Sequence, residues 1–172
     1  TKEGRELAYN NLKEEGIDAL IVNGGDGSFR GADLLEKEFN FPVIGIPCTI
    51  DNDIYGTDFT IGFDSAINTV IEAVDKIRDT AESHNMLFFV EVMGRHSGFI
   101  GLNASIGSGA EATLLPEIKT DLDQISHFME MERRKNKTSG IIIVAEGDEE
   151  GGAIEIAEKI NKRLPEYETR VT

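Results

Sequence analysis

Residues 18–28 read Asp-Ala-Leu-Ile-Val-Asn-Gly-Gly-Asp-Gly-Ser, and this stretch decides the fold. A short apolar run, Asp18 to Asn23, enters glycines at once, the pattern of a buried parallel strand running into a loop. Upstream, Leu7, Ala8 and Leu12 recur at helical spacing between Lys2 and Glu15, and Gly16 closes the run as a helix C-terminal glycine does. Downstream the same alternation repeats. The patterning predicts a helix over about Arg30 to Glu38, a strand over Pro42 to Ile46 and a helix over Phe63 to Ser83. A strand Leu87 to Val92, a Gly-rich helix Ser97 to Ile106 and a short strand Ala112 to Leu115 follow. Helix Leu122 to Arg134, strand Gly140 to Ala145 and helix Ala153 to Leu164 complete the series.

Strict alternation of this kind predicts an α/β fold, with right-handed crossovers and parallel sheets flanked by helices on both faces. The polar loop Pro47 to Thr60 is the natural seam, which gives two lobes, 1–62 and 63–172. Ligands of such sheets bind outside the carboxyl ends of the strands. The segments after Asn23, Ile46, Val92 and Ala145 are therefore where chemistry is expected.

Composition bounds the possibilities. A chain of 172 residues, 40% hydrophobic and 28% charged with the two kinds interspersed, can bury a sizeable core and is not a disordered chain. No apolar run reaches the roughly 18 residues of a membrane span, and the start has no signal-peptide core, so neither membrane nor secretion is expected. Cys48 is the only cysteine, which forbids an internal disulfide and fits a reducing, cytoplasmic compartment. With 17 basic against 32 acidic residues the net charge is −15, a field that repels nucleic acid and anionic lipid. A small phosphorylated anion remains possible wherever backbone amides, a cation or a few placed side chains reverse the local potential. Thr1 opens directly into a helical pattern, which suggests a fragment or a processed piece.

Each strand end carries unusual residues. Gly24, Gly25 and Gly27 free backbone N–H groups to approach an anion, Asp26 can hold a divalent cation, and Ser28 follows. A tight turn with Asp26 or Ser28 as a plain N-cap is the simpler alternative, but three glycines in four positions exceed what a cap requires. In Thr49-Ile50-Asp51-Asn52-Asp53, two carboxylates at i and i+2 of an extended loop would point the same way, suiting one as a general base. An Asx-rich turn explains that segment equally well. Met93-Gly94-Arg95 offers a guanidinium at a helix start that suits bidentate phosphate contact or stabilisation of a transferring phosphoryl, which makes Arg95 a catalytic candidate, against the alternative of a surface ion pair. Glu146 ends the last strand, where ordinary solvation also accounts for it. Together the four strand ends form a coherent set for magnesium-dependent phosphoryl transfer from a polyphosphate to a small-molecule hydroxyl.

The strings GGDGS, PCTIDND and VMGR, in this order and with these gaps, closely resemble the 6-phosphofructokinase family over the length of the chain. GGDGS alone is weakly specific, whereas TIDND followed by MGR is far more so. The resemblance implies a phosphofructokinase-like fold of two α/β lobes, part of an ATP-binding lobe (1–62) and most of a sugar-phosphate lobe (63–172). It implies transfer of the ATP γ-phosphoryl to O1 of fructose 6-phosphate, with Mg²⁺, in a cytoplasmic homotetramer. By motif match Gly25, Asp26, Gly27 and Ser28 would hold the nucleotide phosphates, with Asp26 on Mg²⁺. Thr49, Ile50 and Asp51 would meet the sugar, Asp51 as base and Asp53 as its supporting carboxylate. Met93, Gly94 and Arg95 would contact the sugar phosphate and Glu146 a sugar hydroxyl, while Arg170 would reach the 6-phosphate of a neighbouring subunit. Arg78, Glu111, Lys135 and Lys137 fall near effector-site positions of bacterial members, although surface solvation is the simpler reading of the lysines.

Departures sharpen the comparison. Pyrophosphate-dependent relatives typically carry Asp where this chain has Gly27 and Lys where it has Cys48, so the resemblance is to the ATP-dependent branch, with pyrophosphate dependence as the alternative. Cys48 itself replaces the small Gly often found there, and is read as a buried filler. Met86 stands where many relatives have an arginine that crosses the subunit interface, so one positive charge is missing. The family's opening Gly-rich strand end and its later HxQRGG-like segment are also absent, which implies a central piece of a longer enzyme with exposed strand edges. A catalytically silent core is the third reading.

Overall fold

A computed structural model describes residues 1–172, which divide into two compact units, Thr1–Gly62 and Phe63–Thr172. The first unit comprises α1 (Lys2–Glu14), β1 (Leu20–Gly24), α2 (Asp26–Phe39), β2 (Val43–Thr49) and β3 (Ile61–Gly62). Its three strands are parallel in the order β1-β2-β3, with Leu20 opposite Val43 and Gly24 opposite Pro47. β2 thus runs through Pro47 and Cys48, which sequence patterning assigns to the loop. Proline is tolerated because β3 pairs only with Cys48 and Thr49, so at Pro47 the strand has a neighbour on one side alone.

Helix α1 starts at Thr1, whose hydroxyl accepts the Gly4 N–H. Tyr9 on α1 stacks on Phe39 at 4.6 Å and meets Phe41 edge-on at 5.9 Å. Arg5 clamps Glu38 through Nε and Nη2 at 2.7 and 2.5 Å, and this hydrogen bonding holds the Glu38 carboxyl below the usual carboxylate range. The expected two-sided cover does not hold here: Ile21 and Ile44, paired in register, remain 67% and 65% exposed.

The second unit meets that expectation. It holds α3 (Phe63–His84), β4 (Met86–Val92), α4 (Phe99–Ser108), β5 (Ala112–Leu114), α5 (Leu122–Arg134), β6 (Gly140–Ala145), α6 (Ala153–Arg163) and β7 (Glu168–Val171). All strands are parallel in the order β5-β6-β4-β7, and every residue of β6 is buried. Leu87 and Phe89 of β4 join Ile142 and Val144 of β6 in a core closed by Met129 of α5 and Ile156 and Ile160 of α6. The opposite face lies under α3 and α4, which bury Val74, Ala81, Ile100 and Ala104. The Tyr167 hydroxyl donates to the Met129 carbonyl, and burial pushes its pKa up.

β3 and β7 escape sequence patterning because neither carries an apolar run: β3 is Ile61 and Gly62, and Val171 is the one apolar residue of β7. No helix is long and apolar enough to cross a membrane.

Candidate active site

In the first unit the site grows from the end of β1. Sequence patterning starts the next helix near Arg30, but α2 begins at Asp26, so Asp26, Gly27 and Ser28 form its first turn and are not a free loop. Gly25 is the N-cap in extended conformation, and the Phe29 N–H closes the first helical bond to its carbonyl. With no side chain capping this end, the first-turn N–H groups lack protein acceptors and point outward with the positive end of the helix dipole. Glycine's poor helix propensity is what hides this turn from a sequence reading.

The glycines there have different jobs. A Cβ on Gly24 would come within 2.5 Å of the Ser28 hydroxyl, whereas one on Gly25 would lie 3.3 Å from the Thr49 Cβ. A Cβ on Gly27 would meet nothing within 4 Å. A side chain at 24 would force Ser28 to move and one at 25 would press tightly on Thr49, while the space beside Gly27 is open. Asp26 is half exposed and held by Arg30, with Nε 3.0 Å and Nη2 2.9 Å from its two oxygens.

Thr49 ends β2 beside that helix start. Its hydroxyl accepts the Asp51 N–H at 3.3 Å, and its carbonyl accepts the Thr60 hydroxyl at 2.6 Å. Asn52 adopts a left-handed conformation (φ 52°), takes the Thr60 N–H at 2.8 Å and donates to the Asp58 carbonyl at 3.1 Å. These bonds close residues 49–60 into a pinned loop. The left-handed residue also breaks the extended path assumed from sequence, so the two carboxylates differ: Asp51 is buried and Asp53 is exposed. Ile50 and Cys48 are half-buried.

In the second unit the corresponding feature is the turn after β4. Gly94 (φ 149°) and Arg95 (φ 55°) both take positive φ, and a Cβ on Gly94 would run into the Ser97 carbonyl. The Arg95 N–H donates to Glu146 Oε2 at 3.3 Å, and Gly147 (φ 87°) packs so closely that a Cβ there would strike the Arg95 carbonyl. Thus Glu146 and Arg95 are neighbours at adjoining strand ends. The exposed Arg95 guanidinium belongs to none of the ion pairs within the chain. Glu91, Val92, Met93 and Glu146 line a cavity of about 270 Å³ there, with Met93 63% exposed. A larger cavity of about 510 Å³ lies between Lys119 and Arg163; of its lining charges, Arg163 pairs with Asp123, Glu150 pairs with Lys159 from outside the lining, and Asp121 caps α5.

Arg170 sits on edge strand β7 and pairs with Glu168 at 2.6 Å. Arg78, Glu111 and Lys137 do come together. The Glu111 side chain is 3% exposed, accepts Lys137 at 2.6 Å and the Ile141 N–H, and lies 3.8 Å from Arg78, which itself donates to the Ser108 and Gly109 carbonyls. Lys137 is thus not merely solvated. Lys135 is elsewhere, bonded to Glu132 at 2.7 Å, and holds that carboxyl below its usual range. Sequence reading passes over Asn52, Thr60 and Gly147, which shape the turns without contributing reactive groups. The signal available for them was an Asn between two Asp residues and a Gly directly after a strand-end Glu.

The phosphofructokinase family profile matches residues 1–172. ATP-dependent 6-phosphofructokinase 2 of Bacteroides thetaiotaomicron is 57% identical over all 172 residues, and ATP-dependent 6-phosphofructokinase 1 of Thermus thermophilus is 51% identical over the same span. In each case the match takes in 53% of the relative, so the chain spans about half the length of these curated relatives. Among solved structures, phosphofructokinase of Saccharomyces cerevisiae superposes on the whole chain with a TM-score of 0.90 at 36% identity, using 27% of that chain. A pyrophosphate-dependent phosphofructokinase from Marinobacter aquaeolei shares the fold, with a TM-score of 0.81 at 24% identity over the whole chain and 48% of its own. The chain belongs to the phosphofructokinase family.

Proposed function

We propose that this chain is part of an ATP-dependent 6-phosphofructokinase that makes fructose 1,6-bisphosphate from fructose 6-phosphate. The observation that carries the proposal is the contact of Gly25 with Thr49, which sets an uncapped helix start against the loop holding buried Asp51. A phosphate-accepting element thereby adjoins a proton acceptor. In this reading the N–H groups of Gly25 to Ser28 hold the nucleotide phosphates. Asp51 takes the proton from the 1-hydroxyl as that oxygen bonds to the γ-phosphorus, and the bond from phosphorus to the β-phosphate bridging oxygen breaks to release ADP. Thr49 and Ile50 line the sugar side, and Asp53 supports the loop from its exposed position.

Asp26 is one exposed carboxylate at a helix start, and the chain has no cluster of three ligating side chains. Asp26 is the carboxylate assigned to Mg²⁺, an ion that takes one or two carboxylates and completes its shell with substrate phosphates and water, and Arg30 would have to release that carboxylate. When bound, the ion would neutralise charge on the transferring phosphates. Arg95, with Met93 and Gly94, is assigned to the sugar phosphate and to the charge of the transferring phosphoryl, and the Glu146 oxygen not facing the Arg95 N–H to a sugar hydroxyl. Arg170 is assigned to the sugar phosphate of a neighbouring subunit in a homotetramer, and Arg78, Glu111 and Lys137 to an effector. The lone Cys48 suits the cytoplasm as the setting.

The test joins this segment to the remaining residues of the Bacteroides thetaiotaomicron relative and assays the full-length chimera with Mg²⁺ and fructose 6-phosphate. Turnover with ATP and none with pyrophosphate is expected. Turnover with pyrophosphate alone would overturn the donor assignment, and silence with both would overturn the function.

Met86 opens β4 directly opposite Glu168, the partner of Arg170. In the chimera, Met86→Arg is expected to lower KM for fructose 6-phosphate by about tenfold, since one added charge-assisted phosphate contact is worth roughly 1.5 to 3 kcal/mol and Glu168 will hold part of it. Steady-state kinetics decide this, and an unchanged KM would count against the interface role of position 86.

A further inference from the structure

The turn that presents Arg95 has a second anchor. α4 begins at Phe99 after the N-cap Gly98, which has no side chain of its own to cap the helix, and the first turn holds no acidic residue. The missing acceptor arrives from another part of the unit: Glu117, in the connection after β5, accepts the Gly98 N–H through Oε1 at 2.7 Å. Its other oxygen lies so near that a Cβ on Gly98 would come within 2.5 Å of it, and Leu115 fills the adjoining space at 2.9 Å. On the far side the Arg95 N–H meets Glu146, and between them the Ser97 N–H closes on the Gly94 carbonyl at 2.9 Å. Residues 94–98 are therefore gripped at both ends by carboxylates from the two neighbouring β-connections.

We infer that Glu117 is a positioning residue for Arg95, holding the turn so that the unpaired guanidinium is set for an anionic phosphate before the ligand arrives. The inference rests on the reading of Arg95 as the sugar-phosphate contact. A carboxylate on the Gly98 N–H also complements the positive end of the α4 dipole, so it both orients the turn and stabilises the helix start. The neutral amide of glutamine retains the accepting oxygen at the same reach, whereas alanine removes it.

Two readouts on the chimera test the inference. Hydrogen exchange of residues 95–98 is expected to speed up by about tenfold in Glu117→Ala, as loss of one anchoring hydrogen bond implies. The same variant is expected to raise KM for fructose 6-phosphate by about tenfold while KM for ATP stays within about twofold. Glu117→Gln is expected to restore both to within about threefold of the unsubstituted protein. Unchanged exchange in Glu117→Ala would overturn the anchor itself. A parallel rise in both KM values would overturn the positioning role, since a general structural defect does not select one substrate. An unsubstituted chimera that is silent with fructose 6-phosphate would instead overturn the assignment of the ligand to Arg95, and the exchange result would still decide the anchor.

Discussion

Replacing Asp51 with asparagine is expected to lower kcat of the full-length chimera by about 10²- to 10⁴-fold, the range for losing a positioned general base. The substitution is nearly isosteric. The loop that carries position 51 is pinned by Asn52 to Thr60 and Asp58, and by Thr60 to the Thr49 carbonyl, and none of these bonds uses the Asp51 carboxylate. The backbone N–H of residue 51 still donates to the Thr49 hydroxyl. That pinning is available to the asparagine variant as well, and thermal melting with both KM values checks that a fall in kcat does not come from loss of the fold or of substrate affinity. What disappears is the capacity to accept the hydroxyl proton. Asp53→Asn, at an exposed position, serves as the control and is expected to fall by less than about tenfold. A chimera that keeps its kcat after Asp51→Asn would remove Asp51 as the base.

Gly27→Asp is expected to cut kcat/KM for ATP by about 10²- to 10³-fold without shifting the melting temperature. The two halves of this expectation come from different observations. A side chain at position 27 meets no protein atom within 4 Å, and α2 already runs in ordinary helical conformation there, so the folded chain accommodates the carboxylate. The same open space lies beside the uncapped helix start, where the nucleotide phosphates are assigned. A carboxylate about 4 Å from a phosphate oxygen, at an effective dielectric of about 20, is repelled by about 4 kcal/mol, with salt lowering that figure. Melting curves and ATP titration on the same preparation separate the two effects. An unstable variant would show that Gly27 serves the fold, and an unchanged kcat/KM would place the nucleotide elsewhere.

How far the sequence could be read depends on the length scale of each signal. The long amphipathic helices and the apolar run of β6 declare themselves because six to twenty-two residues repeat one pattern. The start of α2 does not, because Gly25 and Gly27 look like a loop while the structure uses the first as N-cap and winds the second into the helix. The pairing of Asp51 with Asp53 was argued from an extended backbone, and one left-handed residue between them undoes it. Arg170 was assigned from motif alone, with no means of foreseeing that Glu168 two residues away holds it along an edge strand. Contacts such as Glu117 with Gly98 join residues nineteen apart across helix α4 and strand β5, and no local pattern encodes them.

The uneven burial of the two units has an energetic consequence. In the first unit Leu35 and Phe41 are the only buried apolar side chains, while Ile21 and Ile44 stay in water. The second unit closes a core of more than a dozen such residues. Since local opening free energy follows buried apolar area, the half carrying the helix start is the softer half and the half carrying Arg95 the stiffer. If the nucleotide phosphates bind that helix start as proposed, the nucleotide acts as a folding ligand, because occupancy favours the closed β1–β2 ladder over its opened states by mass action. Part of its intrinsic affinity is then consumed in ordering the protein, so any change that covers Ile21 and Ile44 would tighten nucleotide binding without touching the site.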